Sequence, residues 1–157
     1  MKKYLKYVWI GLIVIIILLQ FQLLQSDKTN PEIIPTEEIN VSANLPKNIS
    51  TILRKSCYDC HSNETKWPWY SYVAPISILV TDDVNDARKE LNFSKWGSYS
   101  LKRKIKKLSE INKEVSDGEM PLWFYLPLHP EAKLTVKEQN ALVGWTETEY
   151  EKLNPEE

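Results

Sequence analysis

The stretch Cys57-Tyr58-Asp59-Cys60-His61 contains both cysteines of the chain and one of its two histidines. Two thiols three residues apart can react with two groups of one bound molecule, and the adjacent histidine supplies a nitrogen ligand. This spacing is typical of the attachment sites of c-type haems, whose two vinyl groups form thioethers with the thiols. The imidazole of His61 would then bind the iron as its proximal ligand. The motif therefore predicts one covalently attached haem c.

Two other uses of these side chains remain open. Cys57 and Cys60 could form a disulfide or a redox-active dithiol, which would leave His61 without a role. Together with His61 and His129, they could also bind zinc, although the adjacent Cys60 and His61 would crowd one tetrahedral site. Haem attachment accounts for all three residues of the motif, so it is the leading hypothesis.

A haem held by His61 needs a sixth ligand or keeps that position open. Met120 is the first candidate, because Gly118 can end a helix before it and Pro121 favours an extended backbone at Met120. The resulting short strap could lay the thioether against the iron. His129 is the second candidate. We therefore expect His61 and Met120 to bind the iron and Pro121 to lie beside the haem.

Aromatic residues lie close in sequence to both proposed ligands. One group follows the motif and the other follows the proposed strap: Trp67, Trp69 and Tyr70, then Trp123, Phe124 and Tyr125. A porphyrin offers a broad apolar face, and indole N–H or phenol O–H groups can donate hydrogen bonds to its propionates. We expect Trp67, Trp69 and Tyr70 to contact the haem, although an aromatic core without a ligand would show the same composition.

The N-terminal segment is the most apolar part of the chain. Residues 8–24 read VWIGLIVIIILLQFQLL, contain no charged side chain and are long enough to span a bilayer. Lysines precede this segment and acidic residues follow it, which predicts a cytoplasmic N-terminus and export of the remainder. A cleavable signal peptide is the alternative, but residues 20–26 (QFQLLQS) lack the small-x-small pattern that a signal peptidase needs. We expect residues 1–25 to be an anchor or uncleaved signal in the inner membrane, with the following domain in the periplasm.

The exported part divides into a linker and a helical domain. Residues 26–47 contain three prolines among acidic and small polar residues, so we predict a linker. In residues 48–153, no strand-like alternation occurs and helical spacing recurs in four stretches: 48–56, 83–91 with Asp82 or Asp83 as N-cap, 101–117, and 135–150 with a Thr135–Glu138 capping box. The expected fold is all-α, a small cytochrome c-like domain around one covalent haem, preceded by one transmembrane helix.

The third predicted helix has the clearest pattern. Its apolar stripe comprises Leu101, Ile105, Leu108, Ile111 and Val115, and Gly118 stands where a C-terminal cap belongs. Its outer face carries Lys102, Arg103, Lys104, Lys106 and Lys107. We expect this face to be solvated, with docking of an acidic partner as the alternative.

The composition excludes several classes of function. Lysine plus arginine number 20 and aspartate plus glutamate 21, giving a net charge of −1, which provides no field to attract nucleic acid. No glycine-rich phosphate loop and no distal acid–base pair is evident, so we do not expect an enzyme. The leading hypothesis is a membrane-anchored carrier of single electrons between redox partners that the sequence does not identify. The alternative is a haem-based sensor or ligand-binding domain with a labile sixth ligand.

The combined motifs resemble those of the bacterial haem-binding domain proteins, which are related to single-haem cytochromes c. The resemblance covers residues 41–153 and rests on these segments: CYDCHSN (57–63) with Thr65, WPWY (67–70), AP (74–75), LNFS (91–94) with Trp96, GEMP (118–121), Tyr125, HP (129–130) and 134–145. It implies an exported or membrane-tethered helical domain with one haem attached to Cys57 and Cys60 and with His61 as proximal ligand. The family often has a second proline after Met-Pro, where this chain has Leu122.

Overall fold

A computed structural model describes residues 2–23 and 28–155 of the chain. It contains seven α-helices within these ranges: α1 (Lys2–Leu23), α2 (Ile39–Ser42), α3 (Lys47–Ser56), α4 (Tyr58–His61), α5 (Ile76–Glu90), α6 (Leu101–Ser116) and α7 (Val136–Leu153). Short 3-10 segments occur at Trp69–Tyr72, Phe93–Ser98 and Pro130–Ala132. The described residues form no strand, which confirms the all-α class.

Helix α1 begins near the N-terminus and carries exposed apolar side chains from Val8 to Leu18. Within the parts of the chain that the structure describes, no helix is both long and apolar enough to cross a membrane. Residue 24 and the side chains of residues 19 and 21–23 of the predicted span lie outside that description. The transmembrane helix expected from the sequence is therefore not found.

The predicted linker packs on the domain over its described part, residues 28–47. Ile39 is fully buried in the core, and the Glu37 carbonyl accepts a 2.7 Å hydrogen bond from the N–H of Gly97. A Cβ at Gly97 would lie 2.7 Å from the Glu37 backbone, so only glycine fits this approach. The sequence does not reveal this packing because α2, with four residues, is too short to show periodicity.

Helices α3, α6 and α7 supply most of the core, with α6 packed along α7. The buried apolar residues of these helices are Ile49, Ile52 and Leu53 on α3, Leu108, Ile111 and Val115 on α6, and Leu142 and Trp145 on α7. Helix α3 thus lies against a stable helical pair and carries the cysteine motif at its C-terminal end. The position of the motif is fixed by this packing.

Helix α6 follows its prediction in outline and departs from it at two residues. Ser100 is the N-cap, and Gly118 adopts a φ of 75° after the last turn, as expected for its capping role. Leu101, the first residue of the helix, is exposed rather than buried. Lys107 is buried rather than solvated, since its position adjoins the apolar stripe and its ammonium finds two carboxylates.

Helix α5 is longer than the sequence predicts. It begins at Ile76, directly after Pro75, and not near Asp82 or Asp83. Its first turns bury the small polar residues Ser77 and Thr81, with the Thr81 hydroxyl donating to the Ser77 carbonyl at 2.8 Å. Since polar residues face inward there, the apolar periodicity that marks most helices is absent.

Helices α3 and α7 confirm their predictions closely. Helix α3 covers Lys47–Ser56. Helix α7 opens with the predicted capping box, in which the Thr135 hydroxyl accepts from the Glu138 N–H and the Glu138 carboxylate accepts from the Thr135 N–H. It runs to Leu153, a few residues beyond the predicted end.

Candidate haem site

The cysteine motif lies at the junction of α3 and α4. The Cys57 N–H donates to the Leu53 carbonyl in the last turn of α3, and the His61 N–H donates to the Cys57 carbonyl to close α4, both at 2.9 Å. Residues at i, i+3 and i+4 share one side of a helical turn. The backbone therefore presents Cys57, Cys60 and His61 as one group.

Both thiols are free, so the disulfide alternative is not formed in this structure. Burial raises the pKa of each of Cys57 and Cys60 to about 12. Both side chains are therefore neutral thiols near pH 7, which is the state that suits an apolar environment. Cys57 is among the residues that line the cavity described below, and Cys60 is not.

The imidazole of His61 is held in one orientation by the end of α5. Its Nδ1 lies 3.2 Å from the Ala87 carbonyl oxygen and 3.1 Å from that of Leu91. A carbonyl can only accept, so Nδ1 carries the proton and Nε2 is left with its lone pair. Burial lowers the pKa of His61, against the two carbonyl bonds that raise it. A neutral imidazole oriented through Nδ1 is the usual arrangement of a metal-binding histidine.

A cavity of about 350 Å³ lies beside this imidazole. His61, Cys57, Met120 and Pro121 all line it, together with the apolar side chains of Leu53, Leu91, Phe93, Ile111 and Val115. Such a volume is within the range of about 300–1,000 Å³ common for small-molecule sites. Four of the residues that the sequence predicts for the cofactor thus share one cavity.

The segment that carries Met120 is tied to the end of α6. The N–H groups of Glu119 and Met120 both donate to the Glu114 carbonyl, at 3.0 and 3.2 Å. Gly118, with its positive φ, turns the chain so that these bonds can form. The half-buried Met120 side chain consequently lines the cavity that His61 also lines.

His129 lies in a separate aromatic cluster. Its Nδ1 is 3.2 Å from the Glu131 carboxylate, so that nitrogen donates, and its Nε2 accepts from the Tyr70 hydroxyl at 2.6 Å. The ring also stacks on Tyr125 with centroids 4.0 Å apart. Both nitrogens of His129 are engaged away from the cavity.

The predicted aromatic contacts are not gathered at the cavity, since Trp67, Trp69 and Tyr70 do not line it. Tyr70 is buried beside His129, and the buried indole nitrogen of Trp67 has no hydrogen-bond partner. Trp69 and Trp123 are 75% and 79% exposed. The buried aromatic ring nearest the motif is Phe93, which stacks on Tyr58 and lies edge-on to His61.

Sequence reasoning missed several residues that line the cavity. Ser56 is buried, and its hydroxyl has no hydrogen-bond partner. Lys107 and the carboxylates of Glu90, Glu110 and Glu114 also line it. Ser56 directly precedes Cys57 in the sequence, and this position next to the motif could have identified it as a residue of the site. No sequence signal distinguishes Lys107, because the neighbouring residues on α6 are also basic.

The residues present fit a haem and do not fit zinc. The cavity combines apolar walls, the free Nε2 of His61, a thiol, a thioether and the unpartnered Ser56 hydroxyl. Among the described residues, no three or more histidine, cysteine or acidic side chains are arranged to hold a metal ion. The zinc alternative fails because His129 lies apart from the motif.

The fold and this site define a helical haem-binding protein. The family model of the haem-binding domain matches residues 14–148, and the chain belongs to that family. This confirms the resemblance noted in the sequence. Comparisons with curated proteins and with solved structures gave no match.

Proposed function

We propose that this protein is a c-type cytochrome that carries single electrons. One observation supports the proposal most strongly: Cys57, His61 and Met120 line the same cavity. A thiol for attachment and two side chains of the usual axial type are together in a protein of the haem-binding domain family. The role of carrier follows from filling both axial positions, which leaves no site for an exogenous ligand.

The cysteines would attach the haem by addition. Each S–H adds across one vinyl double bond, so that a C–S bond forms and the hydrogen goes to the neighbouring carbon. The addition involves no net oxidation or reduction and releases no leaving group. Cys60, in the adjoining turn of α4, would supply the second thioether.

The axial residues have different tasks in this proposal. When bound, the haem supplies a one-electron iron couple. His61 would hold the iron through Nε2, while its Nδ1 hydrogen bonds to the Ala87 and Leu91 carbonyls keep the ring aligned and raise its basicity. The Met120 thioether favours ferrous iron and thereby raises the reduction potential.

Spectra of the matured protein distinguish a carrier from a sensor. Methionine ligation gives a near-infrared charge-transfer band in the ferric state and no reaction of the ferrous state with carbon monoxide. A high-spin spectrum that changes with carbon monoxide would favour the sensor alternative, with a labile sixth ligand, and would contradict the carrier role.

We further propose that the N-terminal segment attaches the protein to the inner membrane and that the haem domain lies in the periplasm. The exposed apolar side chains of residues 8–18 and the preceding lysines support this. The full chain should sediment with membranes after a high-salt wash, while the chain lacking residues 1–25, exported by a cleavable leader, should stay soluble. Soluble full-length protein, or a mature N-terminus within residues 20–26, would contradict the anchor.

A further inference from the structure

Lys107 is a buried cation in the wall of the haem cavity. Its side chain is only 8% exposed, and it lines the same space as His61 and Met120. The ammonium lies 2.6 Å from Glu110 Oε2 and 3.2 Å from Glu90 Oε2. A buried charge is costly unless it is paired, and these two carboxylates supply the pairing in the absence of a ligand.

The charges around the cavity are unbalanced. Lys107 is the one basic side chain among the lining residues, against the three carboxylates of Glu90, Glu110 and Glu114. A ligand that carries carboxylates would be repelled by these glutamates, and the ammonium of Lys107 is the charge in the lining that could offset this repulsion. The cavity therefore offers such a ligand one favourable position for a negative group.

The two partners of Lys107 are unequal. Glu110 is 41% exposed and forms the shorter contact, whereas Glu90 is 79% exposed and forms the longer one. Glu90 is the more distant and the more solvent-exposed of the two partners, so its carboxylate is the one that a ligand would more readily displace. An ammonium has three donors and can hold Glu110 and a second carboxylate at once.

The position of Lys107 along α6 suits a group at the rim of a flat ligand. Along an ideal helix the rise from Lys107 to Val115 is about 12 Å, and the Met120 segment is tied to the C-terminal end of the same helix. The backbone of Lys107 and that of the Met120 segment thus lie toward different ends of the α6 wall. Haem propionates are likewise attached at the rim and not near the iron.

We propose that Lys107 binds a haem propionate, whose carboxylate takes the place of Glu90 at the ammonium. This inference rests on the proposed occupation of the cavity by haem. Lys107 is then a positioning residue, because its charge offsets that of the propionate and so disfavours the ferric state. The glutamates that remain prevent the rim carboxylates from settling elsewhere along α6.

The test compares variants of the full-length holoprotein. Lys107→Met removes the buried charge, Lys107→Arg keeps it with altered geometry, and Lys106→Met is the matched control. Lys106 is 70% exposed, also pairs with Glu110, at 3.4 Å, and does not line the cavity. The measurements are the reduction potential and the propionate bending bands in the resonance Raman spectrum.

We expect Lys107→Met to decrease the equilibrium constant for reduction about tenfold, which is about 59 mV for a one-electron couple. Lys107→Arg should keep the potential near that of the wild type while its propionate band moves. Lys106→Met should leave both the potential and the band unchanged.

The proposal is overturned if Lys107→Met matches Lys106→Met in potential and in propionate bands. Lys107 would then be only an ion pair between α5 and α6. If Lys107→Met yields no holoprotein, an unmoved propionate band in Lys107→Arg overturns the proposal equally well. Failure of the wild-type protein to retain haem would instead contradict the proposed function.

Discussion

His61 shows how a single residue acquires its role from the backbone around it. The carbonyl oxygens of Ala87 and Leu91 fix which nitrogen carries the proton. The sequence predicts the histidine, because the motif has a known spacing. It does not predict the two partners, because any residue supplies a carbonyl and only the end point of α5 brings these two into place.

The choice between Met120 and His129 is tested by two alanine variants. Met120→Ala should abolish the near-infrared band, lower the reduction potential and open ferrous iron to carbon monoxide, since the cavity then lacks its thioether. His129→Ala should leave all three nearly unchanged, because the His129 nitrogens bond to Tyr70 and Glu131 instead. Absorption spectroscopy and potentiometry of the matured variants measure these effects.

The reverse pattern would identify a bis-histidine site. In that case His129→Ala would show the losses, Met120→Ala would not, and the aromatic cluster around His129 would have to open when haem binds. Loss of the band in both variants would point to a structural effect, which the melting temperatures of the two holoproteins would reveal.

Among the helices, those with a strong local signal are the ones that sequence predicts well. The Thr135–Glu138 capping box is contained in four residues, so it can be recognised from the sequence alone. The start of α5 cannot be recognised in this way, because Ser77 and Thr81 occupy its buried face, where apolar residues are usual. The burial of Ile39 is likewise not predicted from the sequence, because the apolar residues of this acidic, proline-containing segment show no helical or strand periodicity.

Glu138 joins two elements as well as capping one. Besides closing the capping box of α7, its carboxylate lies 2.6 Å from the ammonium of Lys55 on α3. That hydrogen bond, followed by those from Thr135, lowers the pKa of Glu138 from its usual 4.5 to about 2. The helix that delivers Cys57 is thereby linked to the N-terminus of α7.

We predict that Thr135→Ala and Glu138→Gln each lower the free energy of unfolding by about 1 kcal/mol near pH 7, the usual effect of a capping residue. Because the folded state depresses the pKa of Glu138, its contribution is complete above pH 4.5 and is lost as the pH falls toward 2. Urea unfolding at several pH values measures the difference between wild type and Glu138→Gln, which should shrink across that interval.

Glu147→Gln provides the control for this prediction, because Glu147 is exposed on the same helix. It removes an equal charge and should change the free energy of unfolding little. An equal loss in Glu147→Gln, or a Glu138→Gln effect that persists at pH 2, would show that general charge and not the specific contacts is responsible.

For the molecule as a whole, the sequence predicts the helical class and the haem, while the wall of the cavity emerges only from the fold. Motif and spacing predict Cys57, His61 and Met120 as haem-binding residues, and the structure places all three at one cavity. Lys107 enters the site because the fold brings residues of α3 and α6 to one cavity, which no local sequence pattern encodes. Trp69 was expected at the haem from its position in sequence and is exposed instead.

Haem should stabilise the folded protein measurably. The cavity of about 350 Å³ lies between α3, α5 and α6, and a ligand that binds only the folded state raises its stability. The wild-type holoprotein should therefore melt at a higher temperature and more cooperatively than the apoprotein made without a maturation system. Circular dichroism at equal protein concentration measures both transitions, and identical melting curves would contradict haem binding between these helices.

Covalent attachment is the central claim, and acid–acetone extraction followed by intact-mass measurement tests it most directly. Wild-type protein expressed with a cytochrome c maturation system should keep its colour after extraction and show the mass of the chain plus one haem. Cys57→Ser or Cys60→Ser should leave at most one thioether and greatly reduce the holoprotein. A wild-type chain that releases all its haem and has the mass of the polypeptide alone would contradict the account.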